Sequence, residues 1–119
     1  MYMAGNGAPF KIEKTVTTDV GDLYEINPPV LGYSKVEVTG HARERMEMRD
    51  IELQEALEVL ATPHIVDGLD TQPGRKRYRR NKTAMTALDV VFEERPDRLV
   101  ITTAIKLQRR IIERKRRKK

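Results

Sequence analysis

Apolar and polar positions alternate in the first part of the chain, a pattern typical of extended structure. Residues 10–18 alternate with a period of two, which predicts a strand. Residues 20–22 offer a turn, and residues 23–26 can return as a second strand, so we predict a β-hairpin. Proline cannot donate to a sheet ladder, so the pair Pro28-Pro29 is expected to end this hairpin.

The spacing of apolar residues changes to three and four after residue 38, which predicts two helices. The first helix covers 39–49 and carries Ala42 and Met46 on one stripe. The second covers 53–60 and has a clearer apolar repeat, formed by Leu53, Ala56, Leu57 and Leu60. Pro63 ends it, because the residue before a proline resists the helical conformation.

Extended patterns return after Pro63. A short run at 65–66 precedes a cationic segment at 75–80, and two strongly apolar segments follow at 88–92 and 99–105. Two helices followed by several strands is an α+β order. We therefore expect two N-terminal helices packed on an antiparallel sheet, with an extra N-terminal β-hairpin. The helices should cover one face of the sheet and leave the other for a ligand.

Three regions follow from this pattern. Residues 1–32 are expected to be an N-terminal extension that contains the hairpin, and residues 33–105 to form the α+β domain. Residues 106–119 form a basic C-terminal tail, in which Leu107 and Ile111 have helical spacing.

The net charge of +5 conceals an uneven distribution. The tail holds nine Lys or Arg and one Glu, giving +8, whereas the other 105 residues hold 14 Lys or Arg against 17 Asp or Glu, giving −3. Six of those 14 cations lie between Arg75 and Lys82. Such local patches favour polyanionic partners more than the overall charge does.

Composition also excludes several classes of protein. There is no cysteine, so a disulfide framework or a cysteine-based metal site is impossible. No apolar stretch approaches the roughly 20 residues of a membrane span. Only two histidines exist, and no motif spaces them for a metal. We expect a soluble, cytoplasmic protein that needs no metal or cofactor and no membrane.

The candidate chemistry lies in two segments. His41 and Arg45 are four residues apart and share a helix face. A histidine can act as acid or base near neutral pH, and arginine can hold phosphate oxygens. In the cationic strand, Arg75, Arg77 and Arg79 share one face, and Lys76, Tyr78 and Arg80 share the other. A row of like charges is costly unless it meets solvent or anions, which favours a phosphate-binding row.

Other interpretations of these residues remain open. A histidine that opens a helix is more often a surface or capping residue, and His64, next to Pro63, is more typical of a structural role. The cationic strand is equally compatible with nucleic-acid binding without cleavage. The tail can also be a solvated segment.

Residues 41–105 resemble the DUF4258 family of bacterial and phage proteins. The resemblance rests on the order of His41, Arg45, Met46-Glu-Met-Arg49-Asp-Ile51, Gly74-Arg-Lys-Arg-Tyr78 and Ile101-Thr-Thr103. Glycine is common in the family where this chain has Asp50, a difference expected to affect only a turn. The family looks related to RelE-like, barnase-like and colicin-like ribonuclease toxins, which cleave RNA without metal and leave a 2′,3′-cyclic phosphate. That group shares an architecture of helices followed by four antiparallel strands, so the resemblance implies an α+β fold of two N-terminal helices packed on a four-stranded antiparallel sheet.

This resemblance implies roles for particular residues. His41 is the implied acid or base, Arg45, Arg75 and Arg77 are implied basic positions, and Tyr78 and Thr103 are further candidates. Our nucleic-acid-binding candidates are Arg75, Lys76, Arg77, Tyr78, Arg79, Arg80, Lys82, Arg116 and Arg117.

The sequence thus supports two hypotheses. The first is a metal-independent endoribonuclease of the toxin type that acts on RNA, with an acidic inhibitor protein as the expected partner. The second is a non-catalytic nucleic-acid-binding or phage structural protein that uses the same fold and a basic tail. The sequence does not indicate the oligomeric state or the RNA target.

Overall fold

A computed structural model describes residues 9–108 as one sheet covered by two helices. The elements are β1 (Lys11–Thr18), β2 (Gly21–Val30), β3 (Tyr33–Thr39), α1 (Gly40–Met48), α2 (Leu53–Ala61), β4 (Lys76–Asn81), β5 (Thr86–Glu94) and β6 (Leu99–Gln108). The strand order across the sheet is β1-β2-β3-β6-β5-β4. Both predicted helices and the N-terminal hairpin are confirmed. In the tail, Leu107 lies in β6 and not in a helix, and Ile111 lies outside the described residues.

The expected four-stranded antiparallel sheet is wrong, because the sheet has six strands and is mixed. Strand β3 lies in the middle of the sheet and runs parallel to β6, pairing Val36 with Leu99 and Val38 with Ile101. The hairpin of β1 and β2 continues the same sheet on the other side of β3. The hydrophobic pattern identified these strands but not their neighbours, since pairing across the two helices depends on contacts distant in sequence.

Strand β2 extends beyond the point where the prolines were expected to stop it. The register between β2 and β3 breaks after Glu25 and resumes at Val30, which pairs with Tyr33. Pro28 and Pro29 lie exposed within that irregular stretch, where no regular ladder donor is required of them.

The hydrophobic core lies between the sheet and the helices. On β5, Leu88, Val90 and Phe92 are fully buried and face this core, as their spacing of two requires. Helix α2 contributes Ala56, Leu57, Val59 and Leu60, all with no exposed surface. The opposite face of β5 carries Asp89, and no described helix packs on that face.

Helix α1 is fixed at both ends by local chemistry. Thr39 caps its N-terminus, because its side-chain oxygen accepts a hydrogen bond from the Ala42 N–H at 3.1 Å. At the other end, the Ile51 N–H donates to Met46 O and the Asp50 N–H donates to Glu47 O. This is a Schellman motif, and Asp50 occupies its left-handed position with φ of 55°.

Within residues 9–108, neither helix is long and apolar enough to cross a bilayer.

Candidate functional site

His41 and Arg45 lie together on the outer surface of α1. The His41 ring is exposed, and the Arg45 Nε donates to its Nε2 over 3.4 Å. The contact follows from the i, i+4 spacing, which places both side chains on one helix face. Nε2 accepts this hydrogen bond, so in the neutral ring it is the nitrogen without a proton. Within the described chain, Arg45 has no carboxylate partner.

Arg49 continues this face by one more turn and is anchored to the sheet. Its Nη1 donates to the backbone oxygen of Ala104 at 2.6 Å. Ala104 lies three residues beyond Ile101, the last β6 residue in register with β3. The guanidinium therefore satisfies a carbonyl of β6 past the end of its pairing with β3, and fixes the C-terminal end of α1 against that strand.

The predicted arginine row exists, but it faces carboxylates of the neighbouring strand. Asp89 is completely buried and accepts from Arg77 Nε at 2.7 Å and from Arg79 Nε at 2.6 Å. Arg75 Nε donates to Glu93 at 3.1 Å, and Glu93 also accepts from Arg95 at 3.0 Å. The two carboxylates thus offset part of the repulsion between the arginines. Because four arginines share two carboxylates, the network keeps a net positive charge.

These contacts shift the titration of the groups involved. Hydrogen bonds from Arg95 and Arg75 hold the pKa of Glu93 below its usual range. The hydrogen bonds to Asp89 raise the pKa of Arg79, so that guanidinium stays charged. Both effects favour the charged forms of Glu93 and Arg79.

The other side of β4 is engaged in packing and local contacts. The Tyr78 ring meets Phe92 edge to face with ring centres 4.9 Å apart, so the tyrosine packs on the core. Lys76 pairs with Glu94, and Arg80 donates to Thr62 O at 2.6 Å. Lys82, one residue beyond β4, pairs with Glu55 of α2 at 3.0 Å.

His64, expected to be structural, accepts a hydrogen bond at Nδ1 from the Asn81 N–H at 2.9 Å. The Arg80 Nη1 lies 3.3 Å from its Nε2. The ring therefore joins the segment after α2 to the C-terminal end of β4. His64 can therefore serve as a control for His41, because His64 contacts β4 whereas His41 lies on α1.

The structure separates the predicted catalytic residues into two groups. Thr103 pairs with Val91, which pairs with Arg77, so these three side chains share the helix-free face. Neighbouring strands are about 5 Å apart, which puts the backbones of Thr103 and Arg77 about 10 Å apart. Helix α1, which carries His41 and Arg45, packs on the other face of the sheet, where it contacts β6, β2 and β3. No hydrogen bond or ion pair in residues 9–108 joins the two groups, and Arg116 and Arg117 lie outside the described residues.

Sequence reasoning missed the carboxylates that organise the arginines. Asp89 stands alone among apolar residues in Leu88-Asp-Val-Val-Phe92. A lone acid within a buried strand requires a cationic partner, and the cationic segment at 75–80 directly precedes this strand in the chain. That signal predicts the pairing of Asp89 with β4. Within the described chain, no group of three or more potential ligands is arranged to hold a metal ion.

Comparison with known families identifies the chain. Residues 38–106 match the family described as Domain of unknown function (DUF4258), a match that covers more than half of the chain. The chain therefore belongs to the DUF4258 family. The matching segment contains both helices and strands β4 to β6, but not the β1–β2 hairpin. No curated protein and no solved structure matches the chain.

Proposed function

We propose that this DUF4258 protein is a metal-independent endoribonuclease whose reacting centre lies on α1. The observation that carries the proposal is the pair of His41 and Arg45, in which an exposed imidazole lies beside a guanidinium that no described carboxylate neutralises. An acid–base group next to a fixed positive charge is the minimum that RNA cleavage without metal requires.

The chemistry uses the ribose as the nucleophile. Nε2 of the neutral His41 ring removes the proton of a 2′-hydroxyl, whose oxygen attacks the adjacent phosphorus. Arg45 turns from the ring to the phosphate oxygens and stabilises the added negative charge. The bond from phosphorus to the 5′ oxygen then breaks, and the protonated imidazole gives its proton to that oxygen. The products are a 2′,3′-cyclic phosphate and a 5′-hydroxyl.

The arginine network on the helix-free face has a different part in this proposal. Arg75, Arg77 and Arg79 are held by carboxylates and lie away from α1, so they are better suited to the RNA backbone than to the reacting phosphate. Their excess positive charge attracts a polyanion without a sequence preference. Thr103 shares this face, which supports the proposal that its hydroxyl donates to the same strand of RNA.

The kinship to RelE-like, barnase-like and colicin-like toxins remains part of this proposal, as does an acidic inhibitor protein. A free ribonuclease harms its host, so an active enzyme needs a partner that blocks it. An acidic partner would complement both the arginine network and the tail, which carries +8.

A second function, nucleic-acid binding without cleavage, is favoured by a separate observation. Arg75, directly before β4, and Arg77 and Arg79 within it all have carboxylate partners. The tail at 106–119, in contrast, carries nine Lys or Arg and only one Glu. A segment of this kind binds phosphates non-specifically and in a strongly salt-dependent way.

Cleavage of total RNA at low salt in EDTA separates the two functions. His41→Ala should abolish cleavage, whereas His64→Ala, the matched control, should retain it because His64 supports β4 and not α1. Binding of RNA without cleavage by the wild-type protein would replace the first proposal with the second.

A further inference from the structure

We infer that the β1–β2 hairpin, which lies outside the segment matching the family, positions the helix that carries His41. Asp22 is the residue through which it acts. The inference rests on the proposed function, because it assigns Asp22 a positioning role for the site on α1. The N-terminal hairpin is then part of the site on α1, although it does not contact the substrate.

The first observation is an ion pair between the hairpin and α1. Asp22, at the start of β2, is 2% exposed, and its Oδ1 accepts from Arg43 Nη1 at 2.9 Å. Arg43 lies between His41 and Arg45 on α1. Tyr24 OH donates to the second carboxylate oxygen at 3.3 Å, and Lys14 approaches it at 3.8 Å. A charge-assisted hydrogen bond to a buried carboxylate fixes the rotation of α1 over β2.

The second observation is close backbone contact at the start of α1. The Gly40 N–H, directly before His41, donates to Val20 O in the hairpin turn at 2.8 Å. A Cβ atom built on Gly40 would lie 2.9 Å from Asp19 O, and one built on Gly21 would lie 2.5 Å from Val38 O. Gly40 is therefore required for the turn to lie against the helix N-terminus, and Gly21 is required for β2 to lie against the end of β3.

Together these contacts hold α1 at its N-terminus and at Arg43, while Arg49 holds its C-terminus on β6. The hairpin supplies the first two of these three attachments. Without them, the helix keeps its cap and its core stripe, but the direction of the His41 ring is no longer fixed.

Asp22→Asn tests the inference, and Asp89→Asn is its matched control. Both residues are buried carboxylates paired with arginine, but Asp89 contacts β4 and not α1. Amide hydrogen exchange at Gly40 reports the docking of the hairpin, and the NMR signal of the His41 ring reports the site. The His64 ring signal serves as an internal reference.

In Asp22→Asn, Gly40 exchange should accelerate by about tenfold, the size of effect expected from removing one charge-assisted hydrogen bond. The His41 signal should move while that of His64 stays in place. The kcat for RNA cleavage should fall by about tenfold with KM little changed, since the arginine network and the tail still bind RNA. Asp89→Asn should leave the His41 signal as in the wild type, and its Gly40 exchange should accelerate by no more than its loss of global stability in urea unfolding accounts for.

If Asp22→Asn does not fold, the double variant Asp22→Asn with Arg43→Gln also removes the guanidinium that has lost its partner and permits the same measurements. Of the two cations on Asp22 it then leaves only Lys14, which is half exposed. Unchanged Gly40 exchange and an unmoved His41 signal would overturn the inference. Absence of cleavage by the wild-type protein would instead overturn the proposed function, and the two NMR readouts would still decide whether the hairpin positions α1.

Discussion

The Arg79 guanidinium holds both oxygens of Asp89, through Nε at 2.6 Å and Nη2 at 3.0 Å. Arg77 adds a third charge-assisted hydrogen bond to the same carboxylate at 2.7 Å. Asp89 has no exposed surface, so its charge depends entirely on these partners. The cationic segment at 75–80 is thus built around an acid of the next strand.

Asp89→Asn should destabilise the fold strongly, because it removes the shared partner of two partly buried arginines. We expect a decrease of about 3 kcal/mol in the free energy of unfolding, the scale found for breaking buried ion pairs. Urea unfolding measures the change. Asp97→Asn is the control, since Asp97 is an exposed carboxylate beside Arg98, and it should leave the midpoint almost unchanged. An equal effect of the two substitutions would contradict the assigned role of Asp89.

Asp50→Gly should stabilise the protein by about 0.5–1 kcal/mol. Asp50 adopts φ of 55° at the end of α1, a conformation that glycine adopts without steric cost. Thermal or urea unfolding tests this gain. The control is Met48→Gly, two residues earlier in the last turn of α1, where the side chain is exposed and the helical conformation makes glycine unfavourable by about 1 kcal/mol. A destabilising Asp50→Gly would show that the aspartate side chain matters more than the backbone.

How much the sequence reveals differs between local and long-range features. The helices, the hairpin and the turn at Asp50 could be predicted, because caps, periodicity and turn chemistry act within a few neighbouring residues. The parallel pairing of Val36 with Leu99 could not, since 62 positions and both helices separate the two residues. The alternation of the cationic segment correctly predicts that its arginines share one face. Their role depends on Asp89, and the position of Asp89 opposite Arg79 depends on the register of β4 and β5.

Glu55 should contribute stability that disappears in acid. Desolvation raises the pKa of Glu55, but hydrogen bonds from the Glu52 backbone and from Lys82 outweigh it, so the pKa lies below the usual value of 4.5. The contribution is therefore complete above that usual pKa and disappears as the pH falls through the lower pKa of the folded state. Because the pair with Lys82 is partly exposed, its size should be about 1 kcal/mol or less.

Urea unfolding of the wild type and of Glu55→Gln between about pH 6 and pH 3 tests this prediction. The wild type should lose its advantage over the variant as the pH falls. The same difference between the two proteins at every pH would contradict it.

Removal of residues 109–119 should weaken RNA binding and reduce its salt dependence. The deletion removes eight Lys or Arg and one Glu. For every phosphate that these cations neutralise, the slope of log K against log salt should become shallower by about 0.7 in the deletion variant on single-stranded RNA. A variant with those eight cations replaced by Gln controls for chain length and should behave like the deletion. An unchanged slope would place RNA binding on residues 1–108 alone.

The most direct test of the central claim is end-group analysis of RNA incubated in EDTA with the wild type, His41→Ala and His64→Ala. The wild type and His64→Ala should produce 2′,3′-cyclic phosphate and 5′-hydroxyl ends at similar rates. His41→Ala should be slower by about a hundredfold or more, the scale of general acid–base catalysis. Cleavage by His41→Ala at the rate of His64→Ala, or intact RNA with the wild type, would contradict the assignment of a ribonuclease site to α1.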